Sequence, residues 1–351
     1  IVEPTLTDMT GHCYSFLDAI TRVSGDCPIT LWGGRDAPVS FPSNVAVRGF
    51  FGRRLRRLQA WGLYRSLLRG AGRIFVSTAG RADLMLLDWA SHGRIAPRKV
   101  FLYVHWFRAS ASKLRTLSRL AARQPEIVIL APTREVVDLF RAAGFRESHL
   151  VPYPMSPANP ASPGGSSVFR HVLYAGAARR DKGFPEVVDY VQLLASRGED
   201  TPVVLQTSAQ HYDKTDPETA GSLRRLDSIG YAHLQRVPRT LGTDQYAALF
   251  SGAISLQLYL REDFADRVSG VTLDAFCNGC PIVTLTGTWM ARLAQEFGAG
   301  EALDEPSPEA VHAAVAKIRG AYAHYYERAR EAGRELRRRH DPARLFAAVT
   351  T

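Results

Sequence analysis

Short apolar runs alternate with longer amphipathic segments along most of this chain of 351 residues. The runs are nearly continuous and rich in β-branched residues, as in KVFLYVH (99–105), EIVILAPT (126–133) and HVLYAG (171–176). The segments between them place apolar residues at helical spacing, as in REVVDLFRAAGF (134–145). Strands that are apolar on both faces and alternate with helices predict an α/β fold with parallel sheets covered by helices.

One segment interrupts this alternation and divides the chain. Residues 151–167 hold five prolines, two glycines and four serines. Such a composition cannot form a core and is typical of an extended linker. We therefore predict an N-terminal Rossmann-like domain over residues 1–155, a linker over 156–167 and a C-terminal Rossmann-like domain over 168–334.

Composition places the protein among folded, soluble chains, with 46% apolar and 22% charged residues. No apolar run approaches the roughly 20 residues that span a bilayer. The four cysteines do not form a disulfide framework, which favours a reducing, cytoplasmic setting. Cys277 and Cys280 form a CxxC pair, but zinc needs about four ligands and no second close pair is evident. Buried small residues explain this pair better than a metal or redox centre.

Charge is unevenly distributed and points to an anionic partner. The net charge is +10, and 39 arginines stand against 5 lysines. Residues 48–73 hold eight arginines and no acidic residue, with apolar residues at helical spacing. These apolar residues are Phe51, Leu55, Leu58, Trp61 and Leu68. A helix of this kind is predicted to rest on an anionic membrane surface, which would make the acceptor lipid-linked. The alternative is a helix packed on the sheet with a solvated basic face.

The strongest candidate for ligand binding is the stretch DRVSGVTLDAFCNGCPIVTLTG at residues 266–287. Its polar turn precedes an apolar helical segment, whose first turn presents unpaired amide groups and a positive dipole end to an anion. That arrangement suits a nucleoside diphosphate. Asp274, one or two turns into the helix, is then placed to reach the ribose hydroxyls. The donor-binding candidates here are Ser269, Gly270, Val271, Thr272 and Asp274.

Asp266 stands eight positions before Asp274 and is the candidate catalytic carboxylate of this stretch. The alternative interpretation is that Asp266 is a solvated loop residue and that Asp274 pairs with an arginine.

A second candidate lies between a predicted strand and a predicted helix, in the turn AGAARRDKG at residues 175–183. Gly176 allows a ligand to approach the backbone, while Arg179 and Lys182 supply cations beside the helix N-terminus. Glycine and cations in that position predict a phosphate-binding turn. The alternative is a solvated basic turn.

Three further positions follow from the rule that ligands bind beyond the carboxyl ends of parallel strands. His105 ends the strand KVFLYVH, and Tyr259 ends ISLQLY and is a candidate for the sugar pocket. Gly11 and His12 lie in a loop between a predicted first strand (1–6) and the next helix. A lone histidine after an apolar strand is often structural, and His12 could simply cap or pack its helix.

These residues resemble the donor-binding signature of retaining GT-B glycosyltransferases of the family-4 type, also called group 1. That signature has two glutamates separated by seven residues before a G-x-P-V-V strand, and Asp266 and Asp274 hold this spacing. Gly176, Lys182 and Gly183 match its G-x-x-x-x-x-K-G turn. The chain departs from it by Asp at both Glu positions, and by Ala177 where many members have an arginine, so that Arg179 or Arg180 would have to serve.

The resemblance implies two Rossmann-like domains whose parallel sheets face each other across a cleft, with the final helix (about 335–351) packed back onto the first domain. It also implies that His105 hydrogen-bonds the donor sugar and that Gly11 and His12 face the donor diphosphate. Retention at the anomeric carbon rests on this resemblance alone.

The expected function is transfer of a sugar from a nucleoside-diphosphate donor to a glycan or lipid-linked acceptor in polysaccharide biosynthesis. No Asp-x-Asp triplet is present, so neither a metal nor any other cofactor is expected, and no nucleic acid is expected as a partner. The protein is expected in the cytoplasm, peripheral on the inner face of the membrane. The alternatives are a non-catalytic glycosyltransferase-like subunit that binds a nucleotide, and a nucleotide-sugar epimerase of the same fold.

Overall fold

The computed structural model describes residues 1–9, 11–52, 54–155, 165–208, 216–239 and 241–351, without the side chain of His12. The chain forms two compact units, one of Ile1–Ala158 with Arg339–Thr351 and one of Asn159–Arg338. The predicted linker falls largely on residues 156–164, which lie outside the described residues.

The first unit is a parallel sheet with helices between its strands. Its strands are β1 (Ile29–Gly34), β2 (Val45–Phe51), β3 (Ile74–Val76), β4 (Val100–Tyr103), β5 (Val128–Ala131) and β6 (Ser148–Leu150). Its helices before the linker are α1 (Gly11–Arg22), α2 (Arg56–Arg69), α3 (Arg81–Ser91), α4 (Ala111–Arg123) and α5 (Arg134–Ala143). Strands β3 to β6 lie side by side in chain order, and β1 pairs with β2.

Residues 1–6 form less of a strand than the sequence predicts. Val2 makes single parallel bridges to Trp32 of β1 and to Val76 of β3, and so lies between the two groups of strands. The chain leaves the sheet at Glu3, whose carboxylate accepts hydrogen bonds from the hydroxyls of Ser77 and Thr78 at 2.7 and 2.6 Å. Pro4 follows directly and has no amide hydrogen to continue the ladder.

The basic segment 48–73 is not one helix, and in this respect the prediction is wrong. Residues up to Phe51 belong to β2, which pairs with β1, and the helix begins only at Arg56. The buried face of α2 is formed by Ala60, Leu63 and Tyr64. Leu55 and Leu58, two members of the predicted apolar stripe, are instead 61% and 63% exposed.

The second unit is a single six-stranded parallel sheet with helices between its strands. Its strands are β7 (His171–Tyr174), β8 (Val203–Gln206), β9 (Leu234–Val237), β10 (Ala253–Gln257), β11 (Ile282–Leu285) and β12 (Gly300–Leu303). Its helices are α6 (Phe184–Arg197), α7 (Pro217–Ser228), α8 (Thr243–Ala248), α9 (Arg261–Phe264), α10 (Gly270–Cys277), α11 (Trp289–Phe297), α12 (Pro308–Gly320) and α13 (Tyr322–Arg339). The spatial order β9-β8-β7-β10-β11-β12 is that of a Rossmann sheet.

The C-terminal segment consists of two helices rather than one. Asp341 caps α14 (Pro342–Thr350) by accepting a hydrogen bond from the Ala343 amide at 2.9 Å. Pro342 cannot continue α13, because it lacks an amide hydrogen and clashes with the preceding turn. In α14, Leu345 is fully buried in the core of the first unit, in a cluster that includes Leu6, Phe16 and Leu17.

Candidate functional site

The order of strands in the second unit determines where its candidate residues meet. Strand order reverses between β7 and β10, which are neighbours paired at Leu173 and Ser255. The chain leaves β7 into residues 175–183 and leaves β10 into residues 258–270. Because parallel strands end at the same edge, these two segments, ninety residues apart in the numbering, lie side by side at the point where Rossmann folds bind nucleotides.

Gly176 lies at the contact between the two segments. Its φ of +95° favours glycine, and its amide donates a hydrogen bond to Gln206 Oε1 at 2.6 Å. A Cβ atom at this position would lie 3.1 Å from Lys182 Nζ and 3.4 Å from Val271 Cγ2. The lysine ammonium and the first turn of α10 therefore meet over the backbone of Gly176.

The Lys182 ammonium lies in an electrostatically unfavourable place. Its pKa is lowered from 10.5 to about 8, chiefly by burial and also by the guanidinium groups of Arg179 and Arg267, against the opposing effect of Asp181. The ammonium lies 5.7 Å from the centroid of the Tyr259 ring. Burial raises the pKa of the Tyr259 phenol, and the nearby Ser269 hydroxyl opposes that rise. A lysine held in this way gains most from an anion that binds beside it.

Asp181 is the counter-ion of this group. Its carboxylate accepts two hydrogen bonds from the Arg179 guanidinium, one of them from Nε at 2.8 Å. The Nη1 atom of Arg267 lies 3.7 Å from the same carboxylate. Arg180, the other arginine of the turn, is exposed and pairs instead with Glu218 at 2.6 Å.

The first turn of α10 is anchored from its buried side. Ser269 caps it by accepting a hydrogen bond from the Thr272 amide at 3.3 Å. The Thr272 hydroxyl donates to Gln257 Oε1 at 2.5 Å and is fully buried, so its side chain fixes the helix to the end of β10. No atom lies within 4 Å of the Cβ position of Gly270, so there is open space beside the start of the helix.

An arginine influences each of the two aspartates of the signature. Asp266 is 22% exposed, with Oδ1 3.5 Å from Nη2 of Arg292 in α11. Burial raises the pKa of Asp274 to about 7, and Arg337 of α13 opposes this rise. Burial raises the pKa of the Tyr246 phenol in α8, and the nearby Asp274 carboxylate raises it further. The alternative that Asp274 pairs with an arginine stays a prediction, because Arg337 acts on it only electrostatically, while the direct arginine contact is at Asp266.

The remaining candidates lie in the first unit. Gly11 has a φ of +74° and begins α1, and the side chain of His12 lies outside the described residues. His105 Nε2 lies 2.8 Å from the carbonyl oxygen of Ser77, which fixes the orientation of its ring. That ring packs against Tyr103 and Phe16, with centroids 4.9 and 5.1 Å apart.

Sequence reasoning missed three residues of this site. Asp181 and Arg267 join the cation group, and Gln206 holds the amide of Gly176. Gln206 could have been found, because it is a polar residue at the carboxyl end of an apolar strand. Arg267 had a weaker signal, its position directly after Asp266.

The described residues contain neither a metal-binding cluster nor a helix that could span a membrane. No three His, Cys, Asp or Glu side chains in the described part of the chain come together as they would around a metal ion. None of the helices within those ranges is both long and apolar enough to cross a bilayer. Cys277 and Cys280 are buried free thiols, and burial raises the pKa of both.

Comparison with known proteins gives a clear result only at the level of structure. No known family profile matches the sequence, and no curated protein matches it either. Anabaena HepE in complex with UDP and glucose matches with a TM-score of 0.70 at 14% identity, over 99% of this chain and 96% of that one. Sucrose-phosphate synthase from Thermosynechococcus elongatus matches with 0.66 at 12% identity, over 99% and 93%. WaaG, a glycosyltransferase involved in lipopolysaccharide biosynthesis, matches with 0.67 at 14% identity, over 100% of both chains.

Identities this low show the fold and nothing finer. A chain of two units, one of them with Rossmann strand order, that these structures match from end to end has the GT-B glycosyltransferase fold. The predicted fold class is therefore confirmed.

Proposed function

We propose that this protein is a glycosyltransferase that moves a sugar from a nucleoside-diphosphate donor to a glycan or lipid-linked acceptor. The observation that carries this proposal is the meeting of Lys182 and the first turn of α10 over Gly176, at the strand-order reversal of a Rossmann sheet. An ammonium and a helix N-terminus aimed at one place are suited to bind a diphosphate. Structures of the same fold contain UDP or UDP-glucose, as in Anabaena HepE.

The proposed chemistry follows from where charge develops. When the bond between the sugar and the diphosphate breaks, negative charge builds on the leaving phosphate, and fixed cations and amide dipoles stabilise it. Lys182, Arg179 and the amides of Gly270 and Val271 fill that role, so the proposed reaction needs no metal. Asp274 would accept hydrogen bonds from the ribose hydroxyls.

Two further roles belong to the same proposal. His105 would hydrogen-bond the donor sugar, and Asp266 would be the carboxylate beside the reacting sugar. Retention at the anomeric carbon is proposed from the resemblance of residues 174–183 and 266–284 to the retaining signature.

The test is donor turnover by the purified protein. Candidate UDP-, GDP- and ADP-sugars are incubated with lipid-linked and free glycan acceptors, and release of the nucleoside diphosphate is measured with and without EDTA. Product formation that EDTA leaves unchanged is expected. If EDTA abolishes activity and added Mg²⁺ restores it, the proposal that the reaction needs no metal is wrong. An isomerised sugar from donor alone would instead identify an epimerase.

A non-catalytic nucleotide-binding subunit is the second candidate, and specific observations favour it. Asp181 already neutralises Arg179, Ala177 supplies no charge, and Asp266 lies beside Arg292. A protein of this kind would bind a nucleoside diphosphate and turn over no donor with any acceptor tested. If a preparation with a folded state verified by circular dichroism binds a nucleoside diphosphate but turns over no donor, the protein is a non-catalytic subunit.

We further propose that the first unit docks on an anionic membrane, which would place the protein on the cytoplasmic face. The docking surface consists of residues 54–58, where the exposed leucines Leu55 and Leu58 are flanked by the exposed Arg54 and Arg57. Exposed apolar side chains among arginines favour insertion at the headgroup level of an anionic bilayer.

The docking proposal is tested with vesicles. Co-sedimentation with vesicles rich in phosphatidylglycerol is expected, with little binding to phosphatidylcholine vesicles. The double variant Leu55→Ser/Leu58→Ser should lose binding, while Trp89→Ser, which removes an apolar residue that is 58% exposed on α3, should keep it. If the double variant binds the vesicles as well as the native protein does, residues 54–58 are not the docking surface.

A further inference from the structure

Three cations and one carboxylate form a compact group beside Gly176. The cations are Arg179, Lys182 and Arg267, and the carboxylate is Asp181. The carboxylate balances only one of the three positive charges. An excess of partly buried positive charge is costly unless an anion offsets it. A pyrophosphate esterified at both ends carries one negative charge on each phosphate and matches the excess.

Arg267 is held in a fixed place within this group. Its side chain is 24% exposed, and its guanidinium carbon lies 4.8 Å from the centroid of the Phe264 ring. Burial lowers its pKa, and Arg179 lowers it further. Arginine presents a planar fork of donors that fits phosphate oxygens, so a guanidinium held in one orientation is preorganised for such a ligand.

The position of Arg267 along the chain adds a second argument. It precedes Ser269, the cap of α10, by two residues, and so it lies at the helix end whose first amides have no partner within the helix. An anion bound at that helix end is therefore also beside Arg267.

We propose that Arg267 is a ligand of the donor pyrophosphate and that Asp181 is the counter-ion that the pyrophosphate displaces from it. The two Asp181 contacts differ in kind. Arg179 makes two hydrogen bonds to the carboxylate, whereas Arg267 lies 3.7 Å away, beyond hydrogen-bond distance. The looser contact exchanges more easily, so Arg267 pairs with the phosphate without leaving its place over Phe264. Arg179 stays with Asp181 and has N–H groups left for the phosphate, because Asp181 accepts only from its Nε and Nη2. This inference rests on the proposed function and adds a residue and a charge exchange to the same site.

If Asp181 and the phosphate compete for Arg267, substitutions of Arg267 and of Asp181 should change the affinity for the phosphate ligand in opposite directions. Arg267→Ala removes a charged hydrogen-bond donor and should weaken binding of inorganic pyrophosphate and of UDP by about 10- to 100-fold. Asp181→Asn removes the competing carboxylate and should tighten binding of the same two probes. Arg267→Lys keeps the charge without the fork and should lie between Arg267→Ala and the native protein.

Isothermal titration calorimetry with pyrophosphate and UDP, and with GDP and ADP in case the base differs, measures these changes. Circular dichroism verifies the fold of each variant. Lys182→Ala serves as the reference for the site, and Arg225→Ala, which removes an exposed arginine paired with Asp189, should leave affinity unchanged.

The outcomes separate this inference from the proposed function. If Lys182→Ala weakens binding while Arg267→Ala binds like the native protein, Arg267 is not a ligand and the proposed function stands. If Arg267→Ala does not fold, an unchanged or lower affinity in Asp181→Asn overturns the exchange. If the native protein binds none of the probes, both the inference and the proposed function fail.

Discussion

Lys182 links the electrostatics of the site to pH. Its pKa is lowered to about 8 from 10.5, so the free protein loses this charge in mildly alkaline solution. A bound anion favours the charged form, and binding should then take up a proton. We expect the affinity for UDP to fall as the pH rises above about 8, by at most about tenfold per pH unit. Calorimetry between pH 7.5 and 9 in buffers of different ionisation enthalpy measures the uptake.

The variant Lys182→Met is the control for this prediction. It keeps an unbranched side chain beside Gly176 and has no proton to bind. Its UDP affinity should be lower at pH 7.5, and the proton uptake should disappear. The same uptake in the variant would assign the proton to another group.

Asp274 should make the stability of the protein depend on pH, because its buried carboxyl group has a raised pKa. Burial raises its pKa from 3.8 to about 7, so the folded state binds a proton that the unfolded state has released at intermediate pH. A raised folded pKa stabilises the protein below the unfolded pKa, and that contribution is lost as the pH rises through the folded value. We expect Asp274→Asn to retain free energy of unfolding that the native protein loses between about pH 4 and pH 7.

Urea denaturation at a series of pH values measures this difference. The control is Asp227→Asn, which changes a carboxylate that is 60% exposed and should shift the curve little between the same limits. Parallel curves for Asp274→Asn and the native protein would mean that Asp274 titrates normally.

Composition decided which cations could be recognised from sequence. Lys182 is one of only 5 lysines and stands next to a glycine before a helix, so it attracts attention. Arg267 is one of 39 arginines, most of them explained by composition, and its position directly after Asp266 is only a weak signal. Its role depends on β7 and β10 being neighbours, and this is a property of strand order that local sequence does not encode.

At the scale of elements, the turn between β7 and α6 depends on a glycine. Gly183 has a φ of +69°, and a Cβ atom there would lie 2.1 Å from the carbonyl oxygen of Leu258, which follows β10. An alanine would have to push apart the two loops that form the candidate site. We expect Gly183→Ala to lower the free energy of unfolding by about 3 kcal/mol or more, since both the conformation and the contact are unfavourable.

Gly198 supplies a matched control for that substitution. Its φ is +63° and its Cβ position is open, so Gly198→Ala carries the conformational cost without the contact. That cost should be about 1 kcal/mol by urea denaturation. Equal losses for the two variants would show that the loops near Gly183 can separate freely.

Elements could be predicted from sequence where burial is complete. Strands β4, β5 and β7 are apolar on both faces, and their sequences alone indicate buried parallel strands. Strands β6 and β12 were not predicted, because SHL and GEAL contain polar residues and lie at sheet edges. The end of strand β2, residues 48–51, was mistaken for helix, because Arg48 was grouped with the basic residues of α2. Pairing with a neighbouring strand forms these elements, and local preference contributes little.

At the scale of the whole molecule, the chain returns to its first unit after completing the second. The return is fixed by His340, whose Nδ1 lies 2.7 Å from the carbonyl oxygen of Tyr153 and whose own carbonyl accepts from the Met155 amide at 2.9 Å. Burial lowers the pKa of His340 to about 4, so the neutral imidazole occupies this place at physiological pH. Asp341 and Pro342 indicate the break between the two C-terminal helices in the sequence, but the place where the chain returns depends on the contacts of His340 with the loop after β6.

The returning helix should therefore be necessary for the stability of the first unit. Leu345 is fully buried in α14 among Leu6, Phe16 and Leu17, and Leu345→Ala removes that contact and leaves a cavity. We expect a loss of about 2–5 kcal/mol. Four of the 5 tryptophans belong to the first unit, so intrinsic fluorescence reports mainly on its unfolding. Arg344→Ala, at an exposed position of the same helix, should change little. If both variants unfold at the same denaturant concentration as the native protein, α14 does not contribute to the core of the first unit.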